Sequence, residues 1–170
     1  AHGGFPTPSG RCEFWSQREA EAGRDPLPAV LLPYECAETA PELAAHYPLA
    51  MISPPARNFL NSSFGMVDSL RASEGAPALL IHPDDAATRG IADGAWVNAH
   101  NDRGQVQLQA RLTDRTRPGQ VIGLGIWWRK HSPDGNNINA LTHQHLTDLG
   151  AAPCFYDCLV EVSATAQTGA

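Results

Sequence analysis

The clearest periodicity in the chain runs from Gln105 to Leu112, where Val106, Leu108, Ala110 and Leu112 alternate with Gln105, Gln107, Gln109 and Arg111. A period of two places the apolar set on one face and the polar set on the other, the signature of a strand with one wet side. Trp96–Asn101 precedes it across Asp102-Arg103-Gly104 and is its expected hairpin partner. Tyr156, Cys158, Val160 and Val162 alternate with Asp157, Leu159 and Glu161, which predicts a last strand. Leu49–Ile52, Ala78–Ile81 and Gln120–Trp127 are further strand candidates, separated by turn formers such as Ser53-Pro54-Pro55 and Pro118-Gly119. Between them Pro83–Gly90 carries helix punctuation: Pro first, Asp84 and Asp85 in the positive first turn, Gly90 to stop it. Short strands, many turns and few helices describe a mainly β barrel.

The flanks read differently. Residues 1–46 are irregular: a turn-rich entry, a strand-like run Arg11–Ser16, a polar stretch Gln17–Pro28, an apolar run Ala29–Leu32 expected as a buried strand, and a short helix opened by Thr39 with Pro41 in its first turn. This is a lead-in wrapping a core at 47–162, and the small, polar residues 163–170 are an expected disordered tail. At 170 residues the chain can bury roughly 68–70% of its unfolded surface without metal or disulfide staples. It opens on Ala1 and reads as a processed product or a piece of something longer.

Charge narrows the partners. Twelve Lys and Arg against 18 Asp and Glu give −6, with no basic run, which argues against nucleic acid or a membrane surface. No apolar stretch reaches spanning length, so no membrane insertion is expected. Cys12, Cys36, Cys154 and Cys158 form no C-x-x-C pair and read as buried free thiols. Gly119, Gly123 and Gly125 fall short of a dinucleotide fingerprint, because Trp127-Trp128 follows where a helix should open. Asn61-Ser62-Ser63 matches a glycosylation triplet, a pattern common by chance. His131, His143 and His145 offer metal-ligand chemistry, against the simpler reading of loop histidines in a polar segment.

What remains are polar clusters at strand ends, which a barrel gathers at one mouth: Ser53–Ser63 with Arg57, Asn101–Gly104, and Asn136–Thr142. Arg suits phosphate, and Asn amides suit a purine edge. Trp127 and Trp128 are strand neighbours facing opposite ways, one for the core and one free to stack on a flat ligand. Singly, each cluster is explained as turn or surface; together they suggest an extended, planar, phosphate-bearing ligand.

The order of these clusters resembles the C-terminal domain of the molybdopterin-dependent oxidoreductases of the dimethyl sulfoxide reductase, formate dehydrogenase and nitrate reductase family. The likeness begins at Phe5-x-Thr7-x-Ser9-Gly10-Arg11-x-Glu13 and passes through Arg57-x-x-x-Asn61-Ser62-Ser63-Phe64. It is densest in Ile81-His82-Pro83-x-Asp85-Ala86-x-x-x-Gly90-Ile91-x-Asp93-Gly94-x-x-Val97 and Asn101-x-Arg103-Gly104. It ends with Gly125-x-Trp127-Trp128, Asn137-x-Asn139-x-Leu141-Thr142 and Phe155-x-Asp157-x-Leu159-Val160-Glu161-Val162. The resemblance implies a six-stranded double-psi β-barrel that helps hold two molybdopterin guanine dinucleotides chelating molybdenum or tungsten. It implies that Arg57, Asn61, Ser62 and Ser63 contact pterin and phosphate. Asn137, Asn139 and Thr142 would lie at the ligand, Trp127 would line the same surface, and Phe155 and Tyr156 would stand near the cofactor. The His82–Val97 motif is assigned to structure. No residue here matches the family's metal ligand or its iron–sulfur cysteines, which belong to upstream parts, so no catalytic or metal-binding residue is expected in this chain. The implied partners are the remaining domains of the same polypeptide and electron-transfer subunits. The competing readings are a non-catalytic β-barrel binding module without cofactor, and a hydrolase or metal site built on His131, His143 and His145.

Overall fold

The structure, a computed structural model, describes residues 4–165, and the chain divides into a unit at Ala1–Leu32 and a unit at Pro33–Ala170. The first unit holds one short helix, α1 (Gln17–Glu21), capped by the Ser16 side chain accepting from the Glu19 N–H at 3.3 Å. Neither Arg11–Ser16 nor Ala29–Leu32 is a strand, contrary to expectation. An apolar run becomes a strand only when another strand satisfies its backbone, and Ala29–Leu32 has no such partner: Val30 is 93% exposed.

The second unit opens with α2 (Pro41–His46) and builds a closed barrel from β1 (Leu49–Ile52), β2 (Ala78–Ile81), β3 (Trp96–Asn101), β4 (Gly104–Leu112), β5 (Gln120–Gly123) and β6 (Cys158–Ala164). The order around the barrel is β1-β5-β2-β4-β3-β6. β1 pairs β5 and β2 pairs β4 in parallel, so the chain crosses over between them, and the other neighbours are antiparallel. This is the expected six-stranded, mainly β barrel with short helices. α3 (Asp68–Glu74) and α4 (Pro83–Thr88) lie in the connections. No helix of the described residues is long and apolar enough to cross a membrane.

The period-two pattern of β4 survives intact. Val106, Leu108 and Ala110 face inward with Leu49, Met51, Leu79, Ile81, Val97, Ala99, Val121, Cys158, Val160 and Val162. Ile138, from a 3₁₀ turn at Ile138–Ala140, plugs one end of this core. It closes on Gly123, where a Cβ would lie 2.5 Å from Ile138 Cδ1, so a side chain there would push that methyl aside. β5 stops at Gly123 rather than continuing to Trp127. Beyond it the backbone bonds to other segments, Leu124 N–H to the Ala78 carbonyl at 2.9 Å and Gly125 N–H to the Pro54 carbonyl at 3.1 Å. β6 begins at Cys158 rather than Tyr156 and runs to Ala164, because β3 pairs with it as far as Val97↔Ala164. Ser163 and Ala164 are thus strand rather than tail, and residues 166–170 lie outside the described residues.

Side-chain polar groups fix the connections. Asp85 accepts from the Gly119 N–H at 2.8 Å, tying α4 to the turn before β5. Arg89 grips Glu161 on β6 through Nε at 2.6 Å and Nη2 at 3.2 Å. The turn after β3 forms the densest node. Arg103 forks onto Glu35 at 2.6 and 2.9 Å and donates Nε to the Leu141 carbonyl at 2.8 Å. Asn101 Nδ2 donates to the Leu141 and Leu159 carbonyls at 2.9 and 3.1 Å, and the Leu159 N–H donates to Glu35 at 3.1 Å. Burial alone would lower the Arg103 pKa, but its bonds and charge pairing with Glu35 outweigh that and raise it. The Asn101–Gly104 cluster is therefore spent on holding Glu35, Leu141 and β6 together. Thr39 does not cap α2 either. Ala40 occupies that position, while Thr39 Oγ1 sits 2.8 and 3.0 Å from the Pro33 and Tyr34 carbonyls.

Candidate functional site

Where β1 leaves the barrel, a cavity of about 420 Å³ opens between three loops. Ser53 and Pro55 come from the exit of β1, and the Ser53 hydroxyl donates to the Phe155 carbonyl at 3.2 Å, joining two of the walls. Asn61 comes from the following loop, which closes on itself through Leu60 and Ser63 at 3.2 and 2.9 Å. Asn139 and Thr142 arrive on the 3₁₀ turn and its exit, with Ile138 beneath them. Asn137 caps that turn by accepting the Asn139 N–H at 3.1 Å. Phe155 and Tyr156, tilted against each other at 4.5 Å, supply an aromatic wall before β6.

The fold thus gathers Asn61, Asn139, Thr142, Phe155 and Tyr156 from distant parts of the sequence into one lining. The other expected residues fall elsewhere. Arg57, Ser62 and Ser63 are exposed on the loop that carries Asn61, outside the lining. Asn137 and Trp127 border a separate narrow crevice. Trp127 is 6% exposed and stands edge-on to Phe59 at 5.2 Å, so most of its ring is packed and only an edge borders the crevice. Of the two tryptophans it is Trp128 that faces outward, donating Nε1 to the Ser62 carbonyl at 2.6 Å.

Sequence reading passed over His143, Gln144 and Cys154 as parts of this lining. The His143 side chain is 5% exposed. Its Nδ1 accepts the His145 N–H at 3.1 Å, which puts the ring proton on Nε2. That Nε2 lies 3.1 Å from Asp157 Oδ1 but without hydrogen-bond alignment, so it is a buried polar atom left unpaired. Tyr34 stacks on His145 at 4.7 Å, and its N–H donates to Asp157 at 3.1 Å. Burial and the nearby Asp157 raise the pKa of the Cys154 thiol. The histidine triad does not assemble. His131 lies 3.4 Å from Arg71 in another part of the unit, and no group of three or more His, Cys, Asp or Glu suited to a metal exists among the described residues.

Amides, a hydroxyl and an aromatic wall, with no cation in the lining, suit the hydrogen-bonding edge and flat face of a heterocycle. The family model described as "Molydopterin dinucleotide binding domain" matches residues 49–159. The chain belongs to this molybdopterin dinucleotide-binding family. Among relatives, the domain is 34% identical over 170 aligned positions to "Dimethyl sulfoxide reductase DmsA" of Escherichia coli (strain K12), covering 92% of this chain and 20% of that protein. It is 37% identical over 125 positions to "Dimethyl sulfoxide/trimethylamine N-oxide reductase" of Rhodobacter capsulatus, covering 72% of this chain and 15% of that one. The chain thus spans about a fifth or less of these relatives' length. The barrel superimposes with a TM-score of 0.79 on "Acetylene Hydratase from Pelobacter acetylenicus", over 95% of this chain and 24% of that one, at 23% identity, a likeness of fold.

Proposed function

We propose that this molybdopterin dinucleotide-binding domain is the C-terminal part of a molybdenum or tungsten oxidoreductase, and that the nucleotide it holds is molybdopterin guanine dinucleotide. The observation that carries the reading is the convergence of Asn61, Asn139, Thr142, Phe155 and Tyr156 on one cavity at the barrel mouth. When bound, the cofactor supplies two-electron redox or oxygen-atom-transfer chemistry. The chain's own part is to bind and orient. Asn61, Asn139 and Gln144 offer amide donors and acceptors to a heterocycle edge, the Thr142 hydroxyl adds a further group, and Phe155 and Tyr156 shield its face from water. His143 packs into the back of this lining with its Nε2 buried 3.1 Å from the Asp157 carboxylate, so it supports the wall rather than presenting a donor to the cavity. Arg57, exposed on the adjoining loop, is the charge best placed for a phosphate. The metal ligand and any iron–sulfur cluster belong to upstream parts of the polypeptide, and the remaining domains and electron-transfer subunits are its partners.

The test is made on the native polypeptide that contains this chain, isolated from its source with an antibody. Its mass, its molybdenum and tungsten content and the GMP released by acid hydrolysis are determined. A chain several times longer than 170 residues, with about one metal and two GMP per polypeptide, is the expected result. A chain near 18.2 kDa with neither metal nor GMP would overturn the reading and leave a barrel that acts as a binding module without cofactor.

A further inference from the structure

The loop that presents Asn61 to the cavity is not self-supporting. Asn61 has φ 51°, a left-handed conformation that asparagine adopts readily, whereas Phe64 at φ 70° is a bulky residue in that region and needs its surroundings to hold it. Within the loop, the bonds between Leu60 and Ser63 close the turn but do not anchor it to the barrel. Its entry is tied down by the Asn58 N–H, which donates to Glu74 on α3, and by Phe59 packed against Trp127, while the carbonyls beyond Asn61 are anchored from two other segments. Trp128, the last residue before the 3₁₀ turn Arg129–His131, donates Nε1 to the Ser62 carbonyl at 2.6 Å. Its indole also lies under Gly65, where a Cβ would stand 3.4 Å from Cδ1. Arg71, on α3, donates Nη1 to the Gly65 carbonyl at 3.1 Å.

Each anchor is itself fixed. Lys130 Nζ sits 5.0 Å from the centroid of the Trp128 ring, a cation on its π face. Arg71 is held by Asp68 at 2.5 Å, one helical turn away, and approaches His131 Nε2 at 3.4 Å. Trp128 belongs to neither apolar core cluster and is not among the residues that line the cavity, so barrel packing does not account for its place.

We infer that Trp128 and Arg71 are positioning residues, clamping the Ser62 and Gly65 carbonyls so that Asn61 is held at the cavity rim in the form that binds the dinucleotide. The inference rests on the cofactor reading above and adds to it two residues that lie outside the cavity lining. A bond to an exposed carbonyl is modest in strength, so its loss should loosen the loop and weaken retention without unfolding the barrel.

The experiment uses the native full-length polypeptide carrying Trp128→Phe, which keeps an aromatic ring at this position and removes the donor together with the indole edge that meets Gly65. Amide hydrogen exchange is read by mass spectrometry on protein stripped of cofactor, and bound dinucleotide is read as GMP remaining after dialysis of the loaded protein. Exchange in residues 60–66 is expected to rise about tenfold with β4 unchanged, and the dinucleotide to dissociate about five- to tenfold faster, the loss of one hydrogen bond. Arg71→Gln should act in the same direction, and Arg71→Lys, which keeps a donor, should restore most of the loss. Unchanged loop exchange, or faster exchange with unchanged GMP retention, would overturn the positioning role. If β4 exchange rises as well in Trp128→Phe, the Arg71 pair alone decides, since Arg71 is on an exposed helix with no buried residue. Wild-type protein with no GMP at all removes the cofactor reading and the inference with it, whereas wild-type with GMP and an indifferent Trp128→Phe removes the inference alone.

Discussion

Cys158 shows how far one side chain's chemistry is set by its surroundings. Its thiol is buried in the barrel interior beside Leu49 and Met51, and burial, aided by the charge of Glu35, pushes its pKa to about 12. The folded value lies above the ordinary value of 9.0, so the protonated thiol stabilises the fold fully below pH 9, and that contribution fades as pH rises toward about 12. In the native protein at pH 8, iodoacetamide should modify Cys12, which is exposed, and spare Cys158 until denaturant is added. Mapping the labelled peptides checks this, and native labelling of Cys158 would show that the inward face of β6 is misplaced. Residue-scale legibility was uneven for a related reason. Alternation assigns Trp127 and Trp128 to opposite faces, yet only the tertiary position of Phe59 decides which of them is covered. Thr39 has the composition of a cap, but nearby carbonyls at Pro33 and Tyr34 compete for its hydroxyl. His143 carried no periodic signal at all, since its burial depends on Tyr34 and Asp157 from distant parts of the chain.

Elements that bury one full face were legible, and elements whose ends are set by partners were not. β4 was the clearest in sequence because Val106, Leu108 and Ala110 all point into the core. Replacing Leu108 by Asp puts an unpaired carboxylate there and should cost about 4 kcal/mol. Chemical denaturation of the chain measures this directly, and a midpoint unchanged from wild type would mean that β4 is turned the wrong way. The ends of β5 and β6 follow the reach of β1, β2 and β3 rather than any local residue, which is why β5 was drawn four residues too long. α3 escaped notice because it buries nothing and begins at Val67, which offers no side-chain cap. Its signals were faint ones, Asp68 in the first turn and Gly75 with φ 81° at the end. The cavity drew on residues near 53–61, 138–144 and 153–156, segments that only the crossover topology brings together. Strand and turn patterns place the polar clusters at one barrel mouth, but which of their residues face one cavity is set by the crossover topology, and the Asn101–Gly104 cluster is drawn off to bind Glu35.

At the scale of the molecule the open question is where the barrel unit starts. Composition and pattern place the beginning of the core at Tyr47, whereas the structure divides after Leu32. The difference turns on Glu35. A carboxylate of which only 9% is exposed, gripped by both ends of the Arg103 guanidinium and by the Leu159 N–H, belongs to the barrel whatever the irregular backbone around it suggests. Removing Glu35 strips Arg103 of its fork and leaves the Leu159 N–H without this acceptor; an unpartnered charge or buried donor costs more than the intact pair contributes. Two shortened chains separate the boundaries. One that begins at Pro33 keeps the node and should melt within a few degrees of the full chain. One that begins at Tyr47 loses Glu35 and α2, and should be weaker by about 2 kcal/mol, a drop of roughly 6–8 °C for a unit of this size. Restoring Tm in the shorter form by Arg103→Leu, which removes the stranded charge, would trace the loss to the ion pair rather than to the missing helix. Equal melting of both shortened chains would instead place the boundary at Tyr47 and reduce Glu35 to a surface tie. A weakened Pro33 form would show that Ala1–Leu32 folds as part of the barrel unit.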